Sequence, residues 1–155
     1  MNLSHCGLTS KGVNQLAHAL TVNKAMPSTL SYLNLSGNNL KEEINVSNCF
    51  RKVSKRIVFI ILFFLFSQNL CNFLAQPNAL THLDISSTDF VLESLFGALL
   101  RGCATNLAHL NVSRNYFNMK KNKEVPPSFK QFFTSTLSLK YLNMSYCKLP
   151  LEALK

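Results

Sequence analysis

The chain has 155 residues, 47% of them hydrophobic, enough to bury one core without requiring a second domain. With 16 Lys and Arg against 7 Asp and Glu, the net charge of +9 favours acidic partners but does not choose between a membrane surface, nucleic acid and an acidic protein segment. Five cysteines, odd in number and without a CxxC or a close Cys/His grouping, argue against a disulfide framework or a zinc site, and free thiols point to a reducing, cytosolic setting.

Met1-Asn2-Leu3-Ser4-His5 has neither a basic stretch nor an apolar run, so no secretory signal is expected. Met1, Leu3, Cys6 and Leu8 instead fit the fourth, sixth, ninth and eleventh positions of an eleven-residue pattern that recurs along the chain, so the sequence is expected to open inside a repeat. Val13, Leu16, Ala17 and Leu20 then recur at helical spacing and predict an amphipathic helix. The first complete copy of the pattern is Leu30 to Leu40, LSYLNLSGNNL. Leu33 and Leu35 alternate with polar neighbours and predict a short strand with one buried face.

The next copy, Leu80 to Phe90 (LTHLDISSTDF), begins 50 residues later, whereas the following leading leucines are 27 and 32 residues apart. The excess points to an insertion. Arg51-Lys52-Val53-Ser54-Lys55-Arg56 precedes the apolar run Ile57 to Phe66, which as a helix would extend about 15 Å, roughly half the hydrocarbon thickness of a bilayer, and is too short to span it. Val46-Ser47 can be encoded by a splice-donor sequence, the Phe/Leu/Ile-rich run by a pyrimidine tract, and Gln68 by the acceptor CAG. Removing Val46 to Gln68, 23 residues, joins Asn45 to Asn69 in frame and restores a spacing of 27. The segment is therefore read as a translated intron within a single domain covering 1–155.

Leu92, Leu95, Phe96, Leu99 and Leu100 predict the next helix, and the copy Leu107 to Phe117 (LAHLNVSRNYF) the next strand. A basic loop, Lys120-Lys121-Asn122-Lys123, precedes Pro126-Pro127-Ser128, which predicts a helix start with Ser128 as its cap and Phe129, Phe132 and Phe133 on its apolar face. The last copy is Leu139 to Leu149 (LKYLNMSYCKL), and Leu151 to Lys155 is expected to stop within a helix. Counting back seven residues from each leading leucine gives Phe73, Leu100 and Phe132, which predicts one shared register of helix and strand.

The pattern resembles the LxxLxLxx(N/C)xL signature of leucine-rich repeats. That resemblance implies an α/β solenoid, a segment of a ribonuclease-inhibitor-like horseshoe with parallel strands on the concave side and helices on the convex side. In such repeats the ninth position, here Cys6, Asn38, Thr88, Asn115 and Cys147, turns the chain inward and bonds backbone groups of the turn.

Asn72 to Ala79 (NFLAQPNA), Phe96 to Cys103 (FGALLRGC), Glu124 to Phe133 (EVPPSFKQFF), Leu149 to Lys155 (LPLEALK) and Leu35 to Leu40 (LSGNNL) include residues the repeat consensus leaves free. They resemble the leucine-rich-repeat region of the CARMIL proteins, the capping-protein regulator and myosin-I linkers. The resemblance implies a scaffold in an actin-cytoskeleton regulator that controls barbed-end capping, located at the cytoskeleton and the inner surface of the plasma membrane. It implies partners in the actin-regulatory machinery, with capping protein bound through regions absent from this chain. The alternatives are a membrane-anchored leucine-rich-repeat receptor fragment and a ribonuclease-inhibitor-like protein with another client.

On the concave side the third position gives Tyr32, His82, His109 and Tyr141; the fifth gives Asn2, Asn34, Asp84, Asn111 and Asn143; the seventh is serine throughout. Tyr32, Asn34, His82, Asp84, His109, Asn111, Arg114, Tyr141 and Asn143 are the candidate partner contacts. His82 and His109 are expected side by side, but two imidazoles without a suitably placed carboxylate do not define a metal or pH-sensing site. No His/Asp pair is poised to activate one serine above the others, so no enzymatic activity, cofactor or small-molecule substrate is expected. The basic patch lacks aromatic interleaving, which argues against nucleic acid and leaves an acidic membrane surface as a further candidate partner. Of the five Asn-x-Ser sequons, at Asn2, Asn34, Asn45, Asn111 and Asn143, four arise from one repeat position and so do not independently indicate a glycosylated ectodomain.

Sequencing cDNA across the codons for Glu43 to Phe73 is expected to show Asn45 joined to Asn69 in most mature messages. Retention of the 23 codons in most clones would refute the intron reading.

Overall fold

The computed structural model of the chain describes residues 1–40, 68–117 and 127–149. Its elements are α1 (Ser10–Val22), the single turn α2 (Met26–Thr29), β1 (Tyr32–Asn34), α3 (Gln68–Ala75), β2 (His82–Asp84), α4 (Leu92–Gly102), β3 (His109–Asn111), α5 (Pro127–Ser135) and β4 (Tyr141–Asn143). The strands form one parallel sheet in the order β1-β2-β3-β4, with third, fourth and fifth repeat positions paired throughout. Asn2 bridges to Asn34 and the Leu3 N–H donates to the Asn34 carbonyl at 2.8 Å, so the partial first repeat extends the sheet beyond β1.

Alternation along each strand separates the two faces. The fourth-position residues Leu33, Leu83 and Leu110 and the sixth-position residues Leu35, Ile85 and Val112 are buried in the core, while the third and fifth positions face outward. Helices α1, α3, α4 and α5 pack in that order, each against the next. Val13, Ala17 and Leu20 of α1, Phe73 and Leu74 of α3, Leu92, Leu95, Phe96 and Leu99 of α4, and Phe129 and Phe132 of α5 complete one continuous core. Thr9 caps α1 by accepting from the Gly12 N–H, while α4 places Glu93 in its first turn and Arg101 in its last, both favourable to the helix dipole.

Two local expectations are corrected. Leu100 is only half-buried, and Ala98 and Leu99 occupy the core in its place. Six residues separate α3 from β2 and six separate α4 from β3, so turn length is not the cause; the α4–β3 turn closes with the Asn106 and Leu107 N–H groups on the Cys103 carbonyl, and the end of α4 presents Ala98 and Leu99 to the core. Ser128 lies inside α5, one residue after Pro127, and is not its cap. A proline at the first helical position fits because it has no N–H to leave unsatisfied there.

The proposed insertion lies outside the described residues except for Gln68, the first residue of α3, as do the basic loop 120–123 and the segment 151–155. Across that long connection β1 still pairs directly with β2 in the register that β2 keeps with β3. Gly102, at the end of α4, has no room for a side chain: a Cβ would collide with the backbone carbonyls of Leu74 and Gln76 at the end of α3.

The ninth position ties the repeats together from inside. Asn38 Nδ2 donates to the carbonyl of Leu35 in its own repeat (2.8 Å) and to that of Leu3 in the preceding one (2.7 Å), while its Oδ1 accepts from the Leu8 N–H (3.0 Å). Asn115 repeats the arrangement with Val112 (3.0 Å), Ile85 (2.7 Å) and the Phe90 N–H (2.8 Å). Cys147 retains one such bond, from Sγ to the Val112 carbonyl at 3.1 Å, and Thr88 bonds the carbonyl of Ile85 in its own repeat at 2.7 Å.

Asn115→Ala strips partners from buried groups on two repeats at once and is expected to destabilise the chain by about 3 kcal/mol in denaturant unfolding. A loss below about 1 kcal/mol would show that the amide is not the tie between repeats.

Candidate functional site

The outward face of the sheet is built of columns, because parallel strands in one register place equal repeat positions side by side. Tyr32, His82, His109 and Tyr141 are paired in sequence across the four strands. Their rings form a row in which His82, His109 and Tyr141 stack and Tyr32 is tilted by 39° against His82: centroids lie 5.9 Å apart between Tyr32 and His82, 4.2 Å between His82 and His109, and 5.8 Å between His109 and Tyr141. The two imidazoles are within 11° of parallel. Stacking turns ring faces toward one another, leaving edges and polar tips for solvent or a ligand.

The threonine before His82 orients that ring. Thr81 Oγ1 lies 3.1 Å from the Ser31 carbonyl, to which it donates, and 2.8 Å from His82 Nδ1. A hydroxyl has one proton, so if it serves the carbonyl, Nδ1 must carry the hydrogen and donate to Oγ1. In that arrangement neutral His82 is the Nδ1–H tautomer and Nε2 is an acceptor.

The fifth-position column works differently. Asn2, Asn34, Asp84, Asn111 and Asn143 each use Oδ1 to accept the backbone N–H two residues on, from Ser4 (3.1 Å), Ser36 (2.9 Å), Ser86 (2.9 Å), Ser113 (3.2 Å) and Ser145 (3.1 Å). This turn explains the serine column beside it: Ser36 and Ser145 also donate their hydroxyls to Asn34 and Asn143, both at 2.8 Å. Asn111 Nδ2 reaches across to Asp84 Oδ2 at 3.1 Å, joining β3 to β2.

Eight of the nine candidate contacts therefore stand in two adjacent columns on β1–β4. Arg114 stands apart. It occupies the eighth position, on the turn after β3, where its φ is 57°, and its guanidinium lies 5.8 Å from the centre of the Tyr146 ring at the same position of the next repeat. Tyr146, 80% exposed, was not among the candidates; its signal was an aromatic in an otherwise variable turn position.

Among the described residues, Cys71, Cys103 and Cys147 are buried thiols. Cys103 is buried, and that burial, against a smaller opposing effect of the hydrogen bond with Asn78, pushes its pKa up to about 12, so it is a neutral thiol at physiological pH. Burial likewise raises Cys147 despite backbone hydrogen bonds at Asn115 and Arg114 that lower it. Among the described residues no cluster of three or more His, Cys, Asp or Glu is placed to hold a metal, and no helix is long and apolar enough to cross a membrane.

Comparison with known proteins matches the Leucine Rich Repeat family model to residues 29–52. The chain is 40% identical over 153 residues, 99% of its length, to human "Capping protein, Arp2/3 and myosin-I linker protein 3". It is 35% identical over 155 residues, its full length, to mouse "Capping protein, Arp2/3 and myosin-I linker protein 2". It is 36% identical over 138 residues, 89% of its length, to "Protein CARMIL" of Dictyostelium discoideum. These matches cover 10%, 10% and 11% of the relatives, so the chain spans about a tenth of their length.

The tautomer assignment is open to measurement by long-range 15N–1H NMR of the histidine rings at a pH where they are neutral. The parent chain is expected to show His82 protonated at Nδ1, and Thr81→Val to shift the proton toward Nε2 with little change at His109. The same tautomer in both chains would remove Thr81 from the site.

Proposed function

We propose that this chain, which belongs to the CARMIL family of capping protein, Arp2/3 and myosin-I linker proteins, is a non-catalytic module through which an actin-cytoskeleton regulator holds a protein partner. The carrying observation is the outward sheet face: two register-matched polar columns, pre-ordered by hydrogen bonds within the chain. Such a face binds without first paying the ordering cost of a loop. The contacts proposed are Tyr32, Asn34, His82, Asp84, His109, Asn111, Arg114, Tyr141 and Asn143.

Strands roughly 5 Å apart backed by helices about 10 Å across cannot stack straight, so the sheet face is inferred to be the concave side of a horseshoe. We further infer that Val46 to Gln68 is no part of this module. In the whole protein the module is proposed to act at the inner plasma-membrane surface, in a regulator of barbed-end capping whose capping-protein contacts lie outside this chain.

Actin elongation from capped filament seeds separates the parts of this reading. The 155-residue chain alone is expected to leave the seeds capped, while the whole protein containing it speeds elongation. Uncapping by the chain alone would place the capping-protein contacts within it; failure of the whole protein to uncap would remove the barbed-end role.

A further inference from the structure

The exposed sheet face and its turns are not evenly charged. The segment from Ser31 to Leu40 carries no charged side chain, and that from Thr81 to Phe90 carries Asp84 and Asp89. The next two carry Arg114, then Lys140 and Lys148, with no acidic residue between Ala108 and Phe117 or between Lys140 and Leu149. A negative β2 repeat thus gives way to positive β3 and β4 repeats along the row of rings.

We propose that the β3–β4 half of the face binds an acidic, extended peptide segment, with Arg114 as the principal carboxylate contact. This rests on the reading of the sheet face as a protein-binding surface and specifies the partner's chemistry.

Three observations carry it. Arg114 is exposed and oriented over the Tyr146 ring, so its planar fork is partly pre-ordered for a carboxylate. Asn143 uses its Oδ1 for Ser145, which leaves the amide NH2 as the end a ligand can use, and Tyr141 adds a phenolic hydroxyl at 47% exposure. Asp84, the acidic group on the strand face itself, already accepts from the Ser86 N–H at Oδ1 and from Asn111 Nδ2 at Oδ2, so each of its oxygens has a donor within the chain. The β3–β4 half therefore offers donors to a ligand, while the carboxylate that would repel it is held one strand away.

The probe is a fluorescein-labelled twelve-residue peptide alternating Glu and Ser, titrated with the 155-residue chain at low salt, beside a Lys/Ser peptide and phosphatidylserine vesicles. Binding to the Glu/Ser peptide alone is expected, falling about tenfold with Arg114→Gln and steeply with added salt, while Lys11→Gln on α1 leaves it unchanged. Circular dichroism checks that each variant keeps its fold. Absence of peptide binding, equal loss with both variants, or a preference for vesicles would each overturn the proposal, the last in favour of a lipid surface. None of these results touches the wider reading, which would fail separately if the whole protein with Tyr32, His82, His109 and Tyr141 all changed to Ser behaved as the parent in cells.

Discussion

The chain's architecture depends on disposing of one carbonyl group per repeat. After each strand the backbone turns inward, and the sixth-position carbonyls of Leu35, Ile85 and Val112 are left beside apolar side chains, away from water. An unpaired carbonyl there would cost about 1–3 kcal/mol, comparable with a large part of a domain's net stability. Asn38 and Asn115 meet the need with an amide whose two hydrogens serve two carbonyls, one in each of two repeats, while its oxygen accepts from backbone N–H groups of the preceding repeat. One side chain thus fixes both the turn and the spacing to the neighbour. Thr88 and Cys147 each carry a single hydrogen for the task, and in the Thr88 repeat Asn115 supplies the second donor to the Ile85 carbonyl.

That amide reaches inward because the residue before it adopts a left-handed conformation. The eighth positions are His5, Gly37, Ser87, Arg114 and Tyr146, with φ between 52° and 66°. Only Gly37 adopts it at no steric cost; there a Cβ would also collide with the His5 ring. At His5, Gly37, Ser87 and Arg114 the backbone N–H donates to the carbonyl of the serine in the following repeat, at 2.9 Å in each case. The backbone ladder therefore continues past the strand and outweighs the local strain. It also fixes the turn from which Arg114 projects, so a candidate binding residue is placed by a bond needed for folding.

Strand register, the burial of the fourth and sixth positions in the three inner repeats, and the ring column were all legible in the sequence, because each follows from an eleven-residue period and from alternation within it; in the outermost repeats Met1 and Leu142 are exposed instead. Leu100 and Ser128 were not. Both lie where a helix meets its flanking turn, and neither the rotation of the last turn of α4 nor a proline already occupying the first position of α5 is encoded in the strand pattern. Within the face, the columns were legible but their internal bonding was not. That Thr81 bridges Ser31 to His82, or that Asn111 bonds Asp84, depends on which rotamers point across a strand gap, a matter of a few ångströms that residue types alone do not specify.

The long connection between β1 and β2 follows from the same division between local bonding and chain length. The pairing of Tyr32 with His82 is set by backbone bonds such as Leu35 N–H to Asp84 carbonyl, at 2.8 Å, which are indifferent to how many residues separate them. Lengthening a connection from 27 to 50 residues adds only about 0.6 kcal/mol of closure entropy, so the sheet tolerates the extra length. Its composition is harder to accommodate. Between these strands the core is already filled by Leu33, Leu35, Leu70, Phe73, Leu74, Leu83 and Ile85, all under 4% exposed, and the outward face consists of polar columns. The apolar run from Ile57 to Phe66 is additional in sequence to these core positions of the described residues. Length alone would allow the segment as a neutral loop; we propose that it is no part of the module on the strength of its apolar sequence and of the spacing of 27 that its removal restores.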